Sequence, residues 1–403
     1  MSADTNLDAA STRRDERDAV SDEWVLHHLV GDLDYARERD YRGWDLYDGE
    51  SSRILQALPV NNKWLNLAFQ QTVRRAPVNV RPLLAVEQRR NFMGVALFTI
   101  ANVRAFEWTG EQRFLDDASE LVEWLIENRS TGYRGFCGGH KHPLQDLDKR
   151  TMPNVPGIIG TTYAVRALLA AAKHLDASYR ETALTAADFV FDDLDYSSHP
   201  DGARIDYKPI DTGDYYTLNA NALGARLLVN LYDASGKRRL REGAREILDY
   251  VAAQQTEAGG WMYRDPPETS HLSMDNFHNG FIVESLLRYQ EVCGSDRYAS
   301  TLDDATAFYR GLFTDAGAPR YDERNEFPRD IHSSAQGAVV FSMLGDEAFA
   351  RRIVRWAVEH LSNGKGRFYH EKRRFYTKRI TLMRWCQAWM AHGMARLLSA
   401  TSA

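Results

Sequence analysis

Six segments of this sequence share one plan, in which a small residue lies near the start of an apolar helical stretch and a more charged helical stretch follows. The small residues are Gly94, Gly160, Gly224, Gly280, Gly337 and Ala388. They are spaced roughly 50 to 65 residues apart, which suits a helical hairpin plus a loop of variable length. Because the first helix of each pair is apolar nearly all round, it must be buried on every side. Hairpins that close into a ring achieve this burial, so the sequence predicts an all-α (α/α)6 toroid of about six helical hairpins, with inner and outer rings of helices.

The second helix of each pair has the pattern of an outer helix. In residues 236–255, apolar residues recur at intervals of three and four, and Arg and Glu fill the positions between them. We expect residues 1–20, which are rich in Asp, Arg and Ser, to form a flexible tail. Residues 21–403 are predicted to form a single toroid domain, in which the helices of residues 21–90 pack on the ring.

Composition and charge exclude several classes of protein. Hydrophobic residues make up 44% and charged residues 26% of the chain, which is typical of a globular protein. The net charge of −6 argues against a nucleic-acid-binding protein. Cys137, Cys293 and Cys386 are far apart, which favours free thiols in a reducing compartment over disulfides. No run reaches the ~18 apolar residues of a transmembrane segment, and residues 1–20 lack the apolar core of a signal peptide, so we expect a cytoplasmic protein.

Polar residues recur at the first turns of the apolar inner helices. Asn219, Asp275 and His332 each lie five residues before their small residue, and Gln336 lies one residue before Gly337. Buried polar groups cost free energy unless they are hydrogen-bonded, so these side chains should face one another or a ligand. The N-termini of inner helices meet at one rim of a ring, where the preceding loops also lie. We therefore expect a polar site in the mouth of the ring, although Asn and Asp at helix starts are also common caps.

The segment Met274–Gly280 is the strongest candidate for chemistry. Asp275 and His278 are three residues apart and so share one helix face, where they could act as acid and base or orient a sugar hydroxyl. The alternative is a helix cap beside a core histidine. Asp214 and Asp330 are candidates for the opposite wall, because glycoside chemistry uses two carboxylates across a cleft.

Other residues are candidates for binding a substrate. Arg384 and the basic last loop could bind a carboxylate, sulfate or phosphate, unless that loop is only a solvated run of charges. Aromatic rings can stack on sugars, although most aromatic residues are packing residues. The predicted substrate-binding residues are Asn219, Tyr215, His332, Gln336, Arg384, Trp261 and Tyr263. We expect no metal and no cofactor, since the pair His140 and His142 lacks a carboxylate at a known ligand spacing.

Four segments carry a resemblance to a known group of proteins: RGWDLYDGESSRILQALP, APVNVRPLL, DNFHNGFIVESLLRYQ and FYTKRITLMRWCQAWMAHGMARLL. They resemble uncharacterised α/α-toroid proteins found with bacterial and archaeal surface-polysaccharide genes. The wider superfamily includes six-hairpin glycosidases, sugar epimerases, polysaccharide lyases and the terpenoid cyclase and prenyltransferase folds. The resemblance spans roughly residues 40 to 400 and implies a glycan context more than a particular reaction.

Three functions are therefore open. The first is a carbohydrate-active or glycan-biosynthesis enzyme, a hydrolase or an epimerase, that acts on a small-molecule or oligosaccharide substrate in the mouth. The second is a non-catalytic protein that binds glycan or serves as a scaffold in the assembly of surface polysaccharide or glycoprotein. The third is a terpenoid cyclase or prenyltransferase, because residues 255–261 resemble the Q-x-x-x-G-x-W turn of squalene and hopene cyclases, although their D-x-D-D motif is absent. The oligomeric state stays open.

Overall fold

The computed structural model describes residues 20–58, 62–145, 149–211 and 213–400. The predicted flexible tail, residues 1–20, lies outside these ranges except for Val20. The helices are α1 Asp22–Arg37, α2 Arg53–Ala57, α3 Lys63–Arg75, α4 Phe92–Thr109, α5 Gln112–Glu127, α6 Ile158–Ala171, α7 Ser178–Leu184, α8 Leu218–Ser235, α9 Arg238–Ala253, α10 Asn276–Cys293, α11 Ala299–Gly311, α12 Ile331–Met343, α13 Glu347–Leu361 and α14 Trp389–Ala400. A π-helical turn, Met383–Ala388, leads directly into α14, and another, Phe189–Asp193, follows α7 after the short helix Ala186–Asp188.

Six of these helices form a closed inner ring. In chain order, α4, α6, α8, α10, α12 and α14 each pack on the next, and α14 packs back on α4. Each inner helix also packs on one outer helix: α5, α7, α9, α11 and α13 follow their inner partners in the chain, whereas α1 supplies the outer partner of α14. The predicted (α/α)6 toroid is confirmed.

The two rings differ in burial as their sequences predict. In α8 every residue from Leu218 to Leu231 is buried, because the helix has neighbours on all sides. In α9 burial is confined to one stripe that includes Leu240, Ile247 and Val251, and the arginines point to solvent. The small residue of an inner helix can permit a close approach: a Cβ at Gly280 would lie 2.5 Å from Tyr309 Oη, and one at Gly337 would lie 2.5 Å from Phe313.

Short antiparallel strands lie just before the inner helices. They are β1 Leu144–Gln145, β2 Arg150–Thr151, β3 Ser197–His199, β4 Gly202–Arg204, β5 Tyr216–Thr217, β6 Arg264–Asp265, β7 Arg329–Asp330, β8 Glu371–Lys372 and β9 Thr377–Lys378. β1 pairs with β2, β3 with β4 and β5 with β6, while β8 pairs with both β7 and β9. Strands β5 and β7 run straight into α8 and α12, so these pairs tie the loops to the first turns of inner helices. We call this end of the ring the mouth.

Three amides at the mouth hold the loops in place. Asn221 bonds both the N–H and the C=O of Ile205, and Asn279 does the same with Trp261. Gln387 accepts from the N–H of Phe368 at 2.7 Å and donates to the C=O of Gly366. Some of the polar side chains at the first turns therefore bind loop backbone, whereas the sequence predicts that they face one another or a ligand.

Residues 43–58 and 62–90 cover the mouth. Helix α3 packs on the 3₁₀ turn Asp48–Ser51 and on β1. Arg81 holds this cap together from inside: it is 1% exposed, and it donates to Asp48 Oδ1 at 2.8 Å and to the backbone oxygen of Asp45 at 2.6 Å. A buried guanidinium that donates to a carboxylate and to a backbone oxygen at once fixes the geometry of both, so the cap is a defined lid over the ring.

Side chains fill the axis of the ring. The ring centroid of Trp389 lies 5.0 Å from that of Tyr163 and 5.5 Å from that of Phe281. Below them, Glu284 is buried and lies 2.5 Å from Arg226 and 3.3 Å from Arg166. The filled axis directs any ligand site to the mouth. Within the described residues, no helix has the length and hydropathy that a bilayer-spanning segment needs.

Candidate functional site

An aspartate–histidine dyad lies at the N-terminus of α10. Asp275 caps this helix, because its Oδ1 accepts from the backbone N–H of His278 at 3.2 Å. Its Oδ2 lies 2.8 Å from Nδ1 of the same histidine. Asp275 is buried, whereas the side chain of His278 is 16% exposed. Capping and pairing thus coexist, and the pairing leaves Nε2 as the nitrogen that can meet a substrate.

His278 lies within an aromatic surface. Its ring centroid is 4.1 Å from that of Phe277 and 4.7 Å from that of Tyr263. Phe277 in turn stacks on His332, with centroids 4.4 Å apart. Because α10 packs on α12, the first turns of the two helices bring both imidazoles into contact with one phenyl ring.

His332 is buried and has no protein partner for either ring nitrogen among the described residues. It stacks on Trp389 at 4.2 Å, and the edge of Trp385 lies 4.6 Å away. Burial and the nearby Arg384 lower the pKa of His332 well below its usual value. The imidazole is therefore neutral at pH 7, and a ligand or water must satisfy its nitrogens.

Asp330 supports the same region from the other side. Its Oδ1 accepts from the backbone N–H of His332 at 2.8 Å and from Trp385 Nε1 at 2.9 Å, and its Oδ2 lies 3.5 Å from His370 Nε2. Asp330, His370 and Glu371 are close enough to share a metal ion. Glu371, however, already pairs with Arg373 at 2.7 Å. Arg74 and Lys378 also lie within electrostatic range of both carboxylates, which favours an ion-pair network over a metal site.

A buried ion pair joins the cap to the last inner helix. Arg384 donates from Nε and Nη2 to the two oxygens of Asp45, both at 2.6 Å. Burial alone would raise the pKa of Asp45, but the facing guanidinium outweighs it and holds that pKa below its usual value. Asn91 adds a third hydrogen bond at 3.1 Å. Arg384, which the sequence predicts to bind substrate, thus uses two of its N–H donors to position the cap.

Tyrosines form the wall of the mouth. Burial, with Tyr207 and Tyr47 within electrostatic range, raises the pKa of Tyr263 well above its usual value. The guanidinium of Arg74 lies 5.1 Å from the ring centroid of Tyr47. The sequence indicates Tyr47 only as one of several aromatic residues that could stack on a sugar, and it does not single out Asp45 or Arg74. The signal for Asp45 was the segment RGWDLYDGESS, whose acids and aromatics do not fit a helix face.

The other predicted site residues are spread over several levels of the ring. Asn219 is buried in the first turn of α8, and its amide has no partner among the described residues. Gln336 donates to Glu284 at 3.0 Å and so faces the axis. Trp261 is 1% exposed and donates to the backbone oxygen of Val251, as a packing residue does. Tyr215 stacks under Arg264 at 3.5 Å, and Asp214 lies in the exposed bend just before it.

Comparison with solved structures places this fold among carbohydrate-acting proteins. The cellobiose 2-epimerase of Bacillus thermoamylovorans superposes with a TM-score of 0.62 at 12% identity, over 78% of this chain and 90% of that one. The unsaturated glucuronyl hydrolase of Bacillus sp. GL1, which degrades glycosaminoglycan, gives 0.59 at 13% identity, over 94% and 96%. A GH76 α-mannanase of Bacteroides thetaiotaomicron gives 0.57 at 13% identity, over 77% and 87%.

Neither a protein-family model nor the sequence of a curated protein matches the chain. At these identities the structural likeness establishes the fold and leaves the activity open. The chain has the α/α-toroid fold shared by six-hairpin glycosidases and sugar epimerases.

Proposed function

We propose that the protein is a carbohydrate-active enzyme that moves protons at a sugar bound in the mouth. The observation that carries the proposal is the Asp275–His278 dyad, with His332 stacked on the Phe277 ring that His278 also contacts. A histidine whose Nδ1 is held by a buried carboxylate presents Nε2 in a fixed tautomer and orientation, as a general base requires. The neutral His332 offers a second nitrogen to the same region.

Within this proposal each residue has a stated part. Asp275 orients His278 and stabilises its protonated form, and His278 Nε2 takes a proton from the sugar and returns it. His332 donates to or accepts from a sugar oxygen, and Asp330 positions it through the helix N-terminus. Tyr47, Tyr207 and Tyr263 supply hydroxyl groups and ring faces for the sugar.

The geometry favours proton transfer over glycoside hydrolysis. Hydrolysis uses two carboxylates that reach the scissile bond. Here Asp275 is committed to the dyad and Asp330 to Trp385, His332 and His370. An epimerase or isomerase reaction, which needs acid/base groups beside one carbon, fits the two imidazoles better. In the part of the chain that the structure describes, side chains fill the axis and charges are buried there, which does not favour the dry apolar cavity of the terpenoid alternative.

Solvent exchange tests the proposal without knowledge of the natural substrate. The protein is incubated in D₂O with mannose, glucose, cellobiose or glucuronic acid, and deuterium at C2 is measured by NMR. We expect incorporation into at least one sugar and a loss of 10²-fold or more in His278→Gln, the size of a general-base contribution. Asp275→Asn should also lower the rate, because it no longer fixes the tautomer.

A matched control is available on the outer surface. His174 Nε2 lies 2.8 Å from Glu107 at the end of the ring away from the mouth, so His174→Gln breaks a similar pair and should leave exchange unchanged. Exchange that persists at the wild-type rate in His278→Gln would overturn the assignment. The glycan-biosynthesis context and the cytoplasmic location remain predictions from the sequence.

A further inference from the structure

Large exposed hydrophobic side chains are concentrated at one end of the molecule. Among the described residues they all lie in the cap or in loops that precede inner helices, and none lies on an outer helix of the ring. They are Ile54, Leu58, Trp64, Val78, Leu83, Met152, Ile210, Phe375 and Tyr376. We call this set the mouth face. Single exposed apolar residues are ordinary, but their collection on one end marks an interaction surface.

Helix α3 within the mouth face buries two amides and exposes a tryptophan. A surface helix of a water-soluble protein buries its apolar stripe. Here Asn66 and Gln70 are buried beside Val73, at 4% and 3% exposure, whereas Trp64 is 68% exposed. The buried amide of Gln70 exchanges two hydrogen bonds with the backbone of Gln145, which fixes the helix in this orientation.

The turn between β8 and β9 presents a second apolar tip. Phe375 is 90% exposed and Tyr376 is 46% exposed. Lys378 at the base of this turn donates to the backbone oxygen of Arg74, the penultimate residue of α3. The turn and α3 are therefore neighbours on one surface.

Positive charge surrounds these apolar side chains. Apart from the buried Arg81, residues 53–86 contain Arg53, Lys63, Arg74 and Arg75 and no acidic residue. Residues 372–379 read KRRFYTKR and also contain no acidic residue. The whole chain nevertheless has a net charge of −6, so cations are concentrated on this face.

We propose that the mouth face docks on an anionic lipid bilayer. Trp64 and Phe375 would enter the interfacial layer, and the surrounding Lys and Arg would contact lipid phosphates, a combination typical of interfacial anchors. A second copy of the chain fits less well, because two such faces would bring like charges together. The proposal does not depend on the sugar chemistry. It implies that the capped mouth faces the membrane, where a lipid-linked or membrane-bound glycan would lie.

Flotation of the full chain with vesicles tests this docking. Vesicles of phosphatidylcholine alone are compared with vesicles that contain phosphatidylglycerol in a 7:3 ratio, at low and at physiological salt. We expect binding to the anionic vesicles that weakens with salt. Trp64→Ser with Phe375→Ser should reduce binding at least tenfold, and both positions are exposed enough to leave the fold intact, which thermal unfolding checks.

Charge variants separate lipid docking from the alternatives. Arg75→Gln with Arg374→Gln removes two exposed cations and should weaken binding by about 30-fold, at about 1 kcal/mol for each charge. Lys237→Gln with Arg238→Gln removes two exposed cations from the opposite end and should have no effect. No flotation with anionic vesicles, or equal losses in both double variants, would overturn the proposal. A dimer in light scattering that Phe375→Ser dissociates, without vesicle binding, would assign the face to self-association instead.

Discussion

Replacing Glu284 with glutamine is expected to destabilise the protein by about 3 kcal/mol at neutral pH. Glu284 is 2% exposed, and its two oxygens face Arg226 at 2.5 Å and Arg166 at 3.3 Å. A glutamine has the same shape but neutralises neither guanidinium. Two cations would then remain in the ring interior without a counter-charge. Removing one partner of a buried ion pair is strongly destabilising because the remaining charge is buried and uncompensated.

The pKa of Glu284 gives an independent magnitude. Burial alone would raise this pKa, but Arg226 and Arg166 outweigh burial and lower it from 4.5 to about 2. The difference corresponds to about 3 kcal/mol. Because the folded-state pKa lies below the unfolded one, this stabilisation is complete above about pH 5 and declines as the pH falls toward 2. About 2 kcal/mol should remain at pH 3.5.

Urea unfolding of the wild type and Glu284→Gln at pH 7, 5 and 3.5 measures this profile. For a chain of 403 residues, 3 kcal/mol corresponds to a fall in Tm of about 4 °C. Glu257→Gln, at an exposed position, is the control and should change little. Adding Arg226→Met to Glu284→Gln should recover stability, because it removes a stranded cation. Wild-type stability of Glu284→Gln at pH 7, or a loss equal at pH 7 and 3.5, would refute the reasoning.

Two further substitutions test the contacts that hold the cap and the last loop. Gly366 has φ +81°, and a Cβ there would overlap the carbonyl of Gly31, so Gly366→Ala should lower the free energy of unfolding by about 2 to 4 kcal/mol. Gly364 is the control, because it has a similar φ of +72° but no atom near its Cβ. Gly364→Ala should therefore cost only the backbone strain, about 1 kcal/mol in urea unfolding, and the difference between the two variants gives the cost of the overlap. Arg384→Lys keeps the charge but loses the two-bond pair with Asp45, so we expect a cost of about 2 kcal/mol and a higher Asp45 pKa by NMR titration. Equal stability of the two alanine variants, or an unchanged Asp45 pKa, would contradict these expectations.

The ring could be predicted because the residues that indicate each helical hairpin lie close together in the sequence. Helical periodicity and a small residue near each helix start are visible in any window of the sequence, and the Asp275–His278 spacing lies within one helical turn. The sequence predicts that the helices of residues 21–90 pack on the ring, but it does not predict the ion pair that fixes this cap, because Asp45 and Arg384 are 339 residues apart. The loop-anchoring amides were also ambiguous, because an asparagine at a first turn looks the same whether it binds backbone or ligand. Ala388, the sixth small residue, ends a π-helical turn that no periodicity indicated.

Helix α1 packs on α14, and Asp32 accepts a hydrogen bond from Gln387 across 355 positions of the chain. Because this contact joins the first helix to the last, the ring can close only in a certain order. Five hairpins can form as the ribosome releases them, but the circle stays open, with the first outer helix unpaired, until the last inner helix has emerged. Contacts of such long sequence separation form slowly. Until then the nascent chain exposes apolar helix surfaces that a chaperone would have to cover.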